Sequence, residues 1–454
     1  MIDPFEIINR YLIYPLYYWK NGDKRLQRLD ELESSQYYSK PQLESLQLLR
    51  LKKIVDYAYH NTNYYHKVMT DRNISPSDIK ELKDIEKLPI LTKQVIQNNI
   101  EDMISTQYRK DELIKDSSGG STGEPTIYFK DRDRHNLRRA DQIRHDRWSG
   151  WDIGKRKAII WGAQRDLSAT QSFRENILST YIERQYELDA FELTDEKMHD
   201  FCDRLETLKP SMILGYANAL ELFAHFILAN RKNHKIRLDG IISSAETLTE
   251  EKRKIIENAF GCKVLNRYGS REVGLIASEC KNQTGLHINA ENVYLELVNG
   301  DGIEIEDGNG DILVTDFWNF GMPLIRYKLG DVGTKTTKTC SCGRGLPLLG
   351  KVAGRSGDFF VSQSGTKIHG EYFTHLFYEL PQVKQFQMIQ ETKEQITLYI
   401  VENKPQQNLD YLKNVIEKTK EMLGDGVQID IVLKDQISPT STGKLLFTIS
   451  KVNQ

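Results

Sequence analysis

Apolar positions recur at helical spacing in the first part of the chain. Leu43, Leu46, Leu49 and Ile54, continued by Tyr57 and Ala58, predict one helix face. Ser75-Pro76-Ser77-Asp78 predicts a turn and helix start, and Leu88-Pro89-Ile90 the end of that helix. Residues 1 to about 110 are thus expected to be mainly helical. The aromatic stretch from Tyr11 to Trp19, interrupted by Pro15, is expected to pack on the body of the protein.

Further on, short apolar runs alternate with helical stretches. Ala158-Ile159-Ile160-Trp161, Ser211 to Tyr216, Gly240 to Ser244 and Lys263 to Asn266 predict strands, and Ala219 to Ala229 and Thr249 to Phe260 predict helices. This alternation predicts an α/β domain with largely parallel strands, whose ligand site lies beyond the strand carboxyl ends. Two polar turns, Ser244 to Thr247 and Tyr268 to Glu272, are expected at such ends. Residues 286 to 335 predict further strands, with turns at Asn299-Gly300-Asp301-Gly302 and Asp307-Gly308-Asn309-Gly310. Gly354 to Asp358 predicts a connector. The remainder, with a strand at Gln395 to Val401, a helix at Leu409 to Met422 and a strand at Val427 to Leu433, predicts a small α+β domain.

Composition adds bounds. At 454 residues the chain is long enough for two or more domains, and 39% hydrophobic with 28% charged residues is ordinary for a globular protein. A net charge of −2 gives no global drive toward nucleic acid or a membrane surface. No apolar run reaches the length of a transmembrane segment, and the N-terminus lacks the basic region of a secretory signal. Five unevenly spaced cysteines argue against a disulfide framework and for a reducing, cytoplasmic setting.

Candidate chemistry centres on Ser117-Ser118-Gly119-Gly120-Ser121-Thr122-Gly123-Glu124-Pro125. Glycines let successive backbone N–H groups converge on an anion, and hydroxyls add donors. The stretch is not a Walker A loop, because no Gly-Lys-Ser/Thr closes it. A turn between strands is the alternative reading. Residues 132 to 148 carry Arg132, Arg134, Arg138, Arg139, Arg144 and Arg147 with several aspartates. They read either as a solvated helix face or as a phosphate-steering surface beside the loop.

Five motifs occur in order: Ser117 to Pro125, Tyr268-Gly269-Ser270-Arg271-Glu272, Tyr327-Lys328-Leu329-Gly330-Asp331, Gly354-Arg355-Ser356-Gly357-Asp358 and Pro439-Thr440-Ser441-Thr442-Gly443-Lys444. Together they resemble the adenylate-forming superfamily, which includes acyl-CoA synthetases, firefly luciferase and peptide-synthetase adenylation domains. The likeness is greatest to the phenylacetate–CoA ligase family, and within it to the branch associated with capsular polysaccharide biosynthesis. It extends from about residue 40 to the end.

The resemblance implies an α/β fold with a large N-terminal domain (1–353) for ATP and carboxylate. A hinge at 354–358 and a mobile C-terminal lid (359–454) carrying Lys444 follow from it too. It implies ATP-dependent formation of an acyl-adenylate from a small carboxylic acid, then transfer to coenzyme A, in a chain that forms a homodimer in some relatives. By motif position, Ser118, Gly119, Gly120, Ser121, Thr122 and Gly123 would hold the phosphates, and Glu272 would hold Mg²⁺. Ala245, Glu246, Thr247, Tyr268 and Gly269 would surround the adenine, Asp331 and Arg355 would meet the ribose or phosphate, and Lys444 would serve the reacting oxygens. Two departures stand out. Gly357 occupies the usual position of the hinge acid, leaving Asp358 as the alternative, and Arg271 stands where many members have a small residue. Trp161, Tyr216 and Ala217, with Arg271, are candidates for the acid pocket or, equally, core residues. Arg138 and Arg139 are candidates for coenzyme A phosphates.

Cys280, His287, Cys340 and Cys342 have the ligand types of tetrahedral Zn²⁺, although Cys-x-Cys is not standard finger spacing. Some phenylacetate–CoA ligase-like proteins carry a similar cluster. The alternative is four unrelated residues, the cysteines buried as small apolar groups. Three readings of function follow: a carboxylate–CoA ligase, an adenylating enzyme that passes its acyl group to an amine or hydroxyl of a polysaccharide precursor, and a non-catalytic nucleotide- or zinc-binding scaffold.

Overall fold

The computed structural model describes residues 3–117, 126–161, 178–190, 193–355, 359–364, 367–377, 380–438 and 446–452. The chain divides into two compact units, Met1–Ala353 and Gly354–Gln454.

The first unit begins with helices. Asp3 caps α1 (Pro4–Ile8) by accepting from the Phe5 N–H at 3.0 Å. A π-helical segment, Asn9–Ile13, joins it to α2 (Tyr14–Lys20). Only half of the aromatic stretch packs as expected: Tyr14 and Tyr18 are buried, whereas Tyr11 and Trp19 are 70% and 77% exposed. α3 (Arg25–Ser35), α4 (Lys40–Asn61), α5 (Asn63–Asp71) and α6 (Lys93–Met103) follow. A Ser39/Gln42 capping box and Pro41 fix the start of α4. Its buried face is Leu43, Gln47, Leu51, Ile54, Val55 and Ala58, so Leu49, expected on that face, is exposed. The helix expected between Ser75 and Leu88 is two short 3₁₀ turns, Pro76–Asp78 and Leu82–Lys87.

β1 (Ile114–Ser117) and β2 (Ile127–Lys130) form an antiparallel hairpin whose last described pair is Ser117 with Ile127. Residues Ser118 to Pro125 join these strands and lie outside the described residues. α7 (Arg132–Ser149) follows at once, capped by Asp131 and ended by Gly150 at φ +108°.

An eight-stranded sheet forms the middle of the unit, in the order β13-β9-β8-β7-β6-β5-β3-β4. Its parallel part comprises β3 (Lys157–Trp161), β4 (Gln185–Asp189), β5 (Met212–Tyr216), β6 (Gly240–Ser244) and β7 (Val264–Ser270). β8 (Gly274–Glu279), β9 (Leu286–Ile288) and β13 (Leu348–Leu349) extend it antiparallel. Successive strand residues face opposite ways. Met212 and Ile242 therefore meet α7 through Leu137, Ala140 and Ile143, while Ile213 and Ile241 meet the helix Ala217–Asn230 through Leu220, Phe223 and Ala224. Tyr268 to Ser270 continue β7 instead of forming the expected turn; the turn is Arg271–Val273. A second sheet, β10 (Val293–Val298), β11 (Asn309–Asp316), β12 (Tyr327–Thr334) and β14 (Val352–Arg355), carries the chain to the second unit. Gly354 and Arg355 thus belong to a strand, and residues 356–358 lie outside the described residues.

The second unit holds the hairpin of β15 (Phe359–Val361) and β16 (Lys367–His369), the helix Lys413–Leu423, and a sheet ordered β19-β18-β17-β20. These strands are β17 (Val383–Gln390), β18 (Gln395–Glu402), β19 (Gln428–Leu433) and β20 (Thr448–Ser450). Met388, Ile396, Leu398, Ile400, Leu412 and Leu423 form its core.

Candidate active site

The turn between β7 and β8 carries Glu272, and lysine and arginine side chains hold it from both ends. Lys130 at the end of β2 donates Nζ–H to the Arg271 carbonyl at 2.7 Å and to Asp116 Oδ2 at 3.0 Å. Arg134 on α7 donates to the Val273 carbonyl and, through Nε, to Asp316 Oδ2 at 2.6 Å. The Val273 N–H donates to Ser270 Oγ at 3.2 Å, closing the turn. Glu272 is 6% exposed and accepts from the Tyr327 hydroxyl at 3.0 Å. The turn also requires two glycines. A Cβ at Gly269 would stand 2.5 Å from the Gly274 carbonyl, and Gly274 has φ +76°. Gly269 is thus needed for the close approach of β7 and β8.

Tyr268, two residues before the turn proper, donates its hydroxyl to Asp331 Oδ2 on β12 at 2.7 Å. The motifs at Tyr268 and Tyr327, about sixty residues apart, are therefore joined by two side-chain hydrogen bonds, Tyr268 to Asp331 and Tyr327 to Glu272. Tyr128 on β2 lies near both Glu272 and Asp116, and burial holds its hydroxyl strongly protonated. The root of the glycine-rich hairpin thus adjoins the Glu272 turn.

At the carboxyl end of β6, Ala245 adopts φ +67°, a backbone region that non-glycine residues seldom occupy. Glu246 accepts from the Asn218 N–H at 2.8 Å, near the start of the helix Ala217–Asn230, and Thr247 is half-buried. Trp161 and Tyr216 close β3 and β5 with ring centroids 4.1 Å apart. Ala217 is fully buried in the same core cluster as Tyr216. Arg355 is placed by its backbone as the last residue of β14. Ser118, Gly119, Gly120, Ser121, Thr122, Gly123, Gly357, Asp358 and Lys444 lie outside the described residues.

α7 is neither a solvated face nor a simple phosphate-steering surface. Arg134, Asp141, Arg144, His145 and Asp146 are buried. Arg144 pairs with Glu291 at 2.6 Å, and Asp146 with Arg267 at 2.5 Å and Lys157 at 3.2 Å. Sequence reasoning missed Lys130, Arg134 and Tyr327 as supports of the site, because their partners lie 55 to 141 residues away. The available signals were position, since Lys130 and Arg134 follow the glycine-rich stretch, and motif membership, since Tyr327 opens the motif that ends at Asp331.

The cysteine and histidine candidates do come together. Ligand atoms of Cys280, His287, Cys340 and Cys342 all lie within 4.8 Å of one another. The Cys280 and Cys340 sulfurs are 3.6 Å apart, and Cys342 Sγ is 3.4 Å from His287 Nε2. Tetrahedral zinc with Zn–S of about 2.3 Å separates ligands by about 3.4–3.8 Å, so the donor set fits. His287 is fully buried, and its Nδ1 faces the Leu346 carbonyl at 3.4 Å, the orienting contact of a ligating imidazole.

The C-terminal unit matches the family described as the CapK C-terminal domain over residues 360–451. Protein CapK of Staphylococcus aureus is 24% identical over 90% of both chains. Phenylacetate-coenzyme A ligase of Escherichia coli is 29% identical over 74% of this chain and 75% of its own. The chain is similar to CapK and to the phenylacetate-coenzyme A ligases. A crystal structure of 2-hydroxyisobutyryl-CoA ligase in the postadenylation state shares the fold at TM-score 0.71, with 17% identity over 91% of this chain and 90% of that one. The α/β fold described above, with a large N-terminal part and a smaller C-terminal one, is the fold of that ligase. Among the described residues, no helix is long and apolar enough to cross a membrane.

Proposed function

We propose that the chain is an AMP-forming ligase that activates a small carboxylic acid with ATP and transfers the acyl group to coenzyme A. The observation that carries this reading is the convergence of Glu272, Tyr268 and Asp331 beside the root of the glycine-rich hairpin. Kinship with phenylacetate-coenzyme A ligases supports it.

In the first half-reaction a carboxylate oxygen of the acid attacks the α-phosphorus of ATP. The bond to the bridging oxygen breaks, and pyrophosphate leaves with the electron pair. In the second half the coenzyme A thiolate attacks the acyl carbon, and AMP leaves. Such displacements depend on placement and charge neutralisation more than on covalent help. Ser118 to Gly123 would hold the phosphates. Asp331, oriented by Tyr268, would accept from the ribose hydroxyls; Tyr268 would lie against the adenine, with Ala245, Glu246 and Thr247 at its edge. Glu272 offers a carboxylate suited to Mg²⁺, which when bound neutralises charge on the phosphate oxygens. Trp161 and Tyr216 would border the acid, and Lys444 would neutralise the oxygens that change partners. Residues 354–358 would form the hinge on which the C-terminal unit delivers Lys444. The five free cysteines suit a cytoplasmic setting.

The test is ATP–pyrophosphate exchange over aryl, short-chain, amino and sugar acids, with AMP release read with and without coenzyme A. We expect exchange with one acid class and AMP release that requires coenzyme A. Lys444→Ala should lower exchange at least about 100-fold, the scale of losing one transition-state donor. Wild-type rates from that variant would remove Lys444 from the mechanism. CapK aligns over 90% of the chain, whereas the phenylacetate-coenzyme A ligases align over about three quarters. A second reading is transfer to an amine or hydroxyl of a polysaccharide precursor; exchange without coenzyme A-dependent AMP release would select it. ATP binding without exchange would instead select the scaffold.

We assign Cys280, His287, Cys340 and Cys342 to a structural Zn²⁺ that ties the loop before β13 to the edge of the eight-stranded sheet. Metal analysis should find about one zinc per chain, lost with Cys340→Ser and with chelation, each lowering Tm. Purified protein without zinc and with unchanged Tm would overturn the assignment.

A further inference from the structure

Arg138 stands apart from the other inward-facing arginines of α7. Arg134 is committed to Asp316 and the Val273 carbonyl, and Arg144 to Glu291. Arg138 is only partly accessible, yet no hydrogen bond or ion pair engages it among the described residues. Its stem runs along Gly274, where a Cβ would lie 3.5 Å from Cγ and 3.6 Å from Cδ. Its guanidinium feels Tyr128 and Asp116 at the root of the glycine-rich hairpin, with Arg134 and Arg139 as like charges. Lys130 and His135 both feel Arg138 as a like charge. Asp116, a carboxylate that Arg138 feels, already accepts from Lys130. Lys130, Arg134 and Arg138 thus border the Glu272 turn together. Withdrawing a guanidinium from water without a partner is costly, so a partner from outside the chain is the economical account. The planar fork of arginine suits a carboxylate or a phosphate.

We propose that Arg138 receives a second anionic group, a carboxylate or phosphate, carried by the acid substrate, so that the enzyme activates acids bearing two anionic groups. The proposal rests on the ligase reading above and narrows its substrate class. Tyr268 and Asp331, placed at the nucleotide, are not among the groups Arg138 feels most, which are Arg139, Tyr128, Arg134 and Asp116; Tyr128 also lies near Glu272. Gly274 leaves room for the arginine stem; a side chain there would meet both Arg138 and Arg134.

The experiment measures pyrophosphate exchange with matched acids: propionate and malonate, butyrate and succinate, valerate and glutarate, benzoate and phthalate, glycerate and 3-phosphoglycerate. Wild type should prefer one doubly anionic acid over its matched partner by at least tenfold in kcat/KM. Arg138→Gln should collapse that ratio at least tenfold, with the loss in KM for the acid, and Arg138→Lys should restore part of it. No preference for any doubly anionic acid in wild type overturns the proposal. So does a rise in KM for ATP or coenzyme A in Arg138→Gln with the acid ratio unchanged, because the guanidinium then serves the phosphates of those substrates. If wild type supports no exchange at all, the Tm shift produced by each acid decides. A shift with a doubly anionic acid that Arg138→Gln abolishes keeps the receptor and rejects the ligase; no shift overturns both.

Discussion

Two helices lie on opposite faces of the eight-stranded sheet, and they are buried by different means. The helix Ala217–Asn230 packs Leu220, Phe223, Ala224 and Ile227 into an apolar core with Ile213 and Ile241. α7 places Leu137, Ala140 and Ile143 against Met212 and Ile242, but beside them it buries Arg134, Asp141, Arg144 and Asp146. The first helix depends on area removed from water, which needs only a face of roughly the right size and shape. The second depends on named partners. Arg134 and Arg144 are tolerated there because a carboxylate from another part of the chain meets each, and the penalty for losing one partner is the exposed cost of a buried charge. The site uses the second kind of burial: Arg134 reaches the Val273 carbonyl from within that network.

Breaking one pair on α7 should have the largest effect. Arg144 and Glu291 have side chains 0% and 1% exposed, 2.6 Å apart, and Ser35 also donates to Glu291 at 2.9 Å. Arg144→Ala should cost about 3–5 kcal/mol, because it leaves the Glu291 carboxylate buried and unpaired. Replacing both partners, Arg144→Met with Glu291→Leu, should recover most of that loss. Urea unfolding of the single and double variants measures both. A double variant no better than Arg144→Ala would mean that the pair does more than neutralise itself.

On the apolar helix the corresponding change is Leu220→Ala, expected to cost about 2–5 kcal/mol through lost transfer energy and a residual cavity. Here no second substitution should rescue the loss by removing a partner. Unfolding of Leu220→Ala alone and with Phe223→Ala tests this; the double variant should be worse than either single one.

The same contrast explains what was legible in the sequence. The parallel strands β3, β5, β6 and β7 and the helices Ala217–Asn230 and Glu250–Phe260 were readable because apolar spacing is local. The first long helix was readable too, although its face was misjudged: Gln47 is buried and Leu49 exposed, since periodicity fixes a helix more firmly than its rotation. The order of five motifs pointed to the relatives that the chain resembles, and the four zinc-type ligands proved to be neighbours. The burial of α7 was not legible. Its charges alternate like those of a solvated helix, and Asp316 and Glu291, 182 and 147 residues away, carry no local mark as their partners. β4 and β17 went unrecognised for a related reason. Polar residues such as Gln185, Glu187, Gln385 and Gln387 interrupt their apolar pattern.

The smallest effect, and the finest test of the comparison, concerns Asp141. It is fully buried and accepts from Asn292 Nδ2 at 2.7 Å; Arg134 lies 3.9 Å from its Oδ2 but closer to Asp316, at 2.6 Å, and Arg144 pairs with Glu291. Burial raises its pKa from 3.8 to about 6, against the pull of Arg144 and Arg134. The folded state therefore holds this proton more tightly than the unfolded chain does. The associated stability is present in full below about pH 4 and is lost as pH rises through about 6. Asp141→Asn keeps an acceptor for Asn292 and has no proton to lose. Relative to wild type it should gain on the order of 2 kcal/mol between pH 4 and pH 7. Urea unfolding of both proteins at the two pH values measures the gain. A difference that does not change with pH would mean that the two neighbouring arginines keep Asp141 ionised, and that α7 is compensated as a network instead of pair by pair.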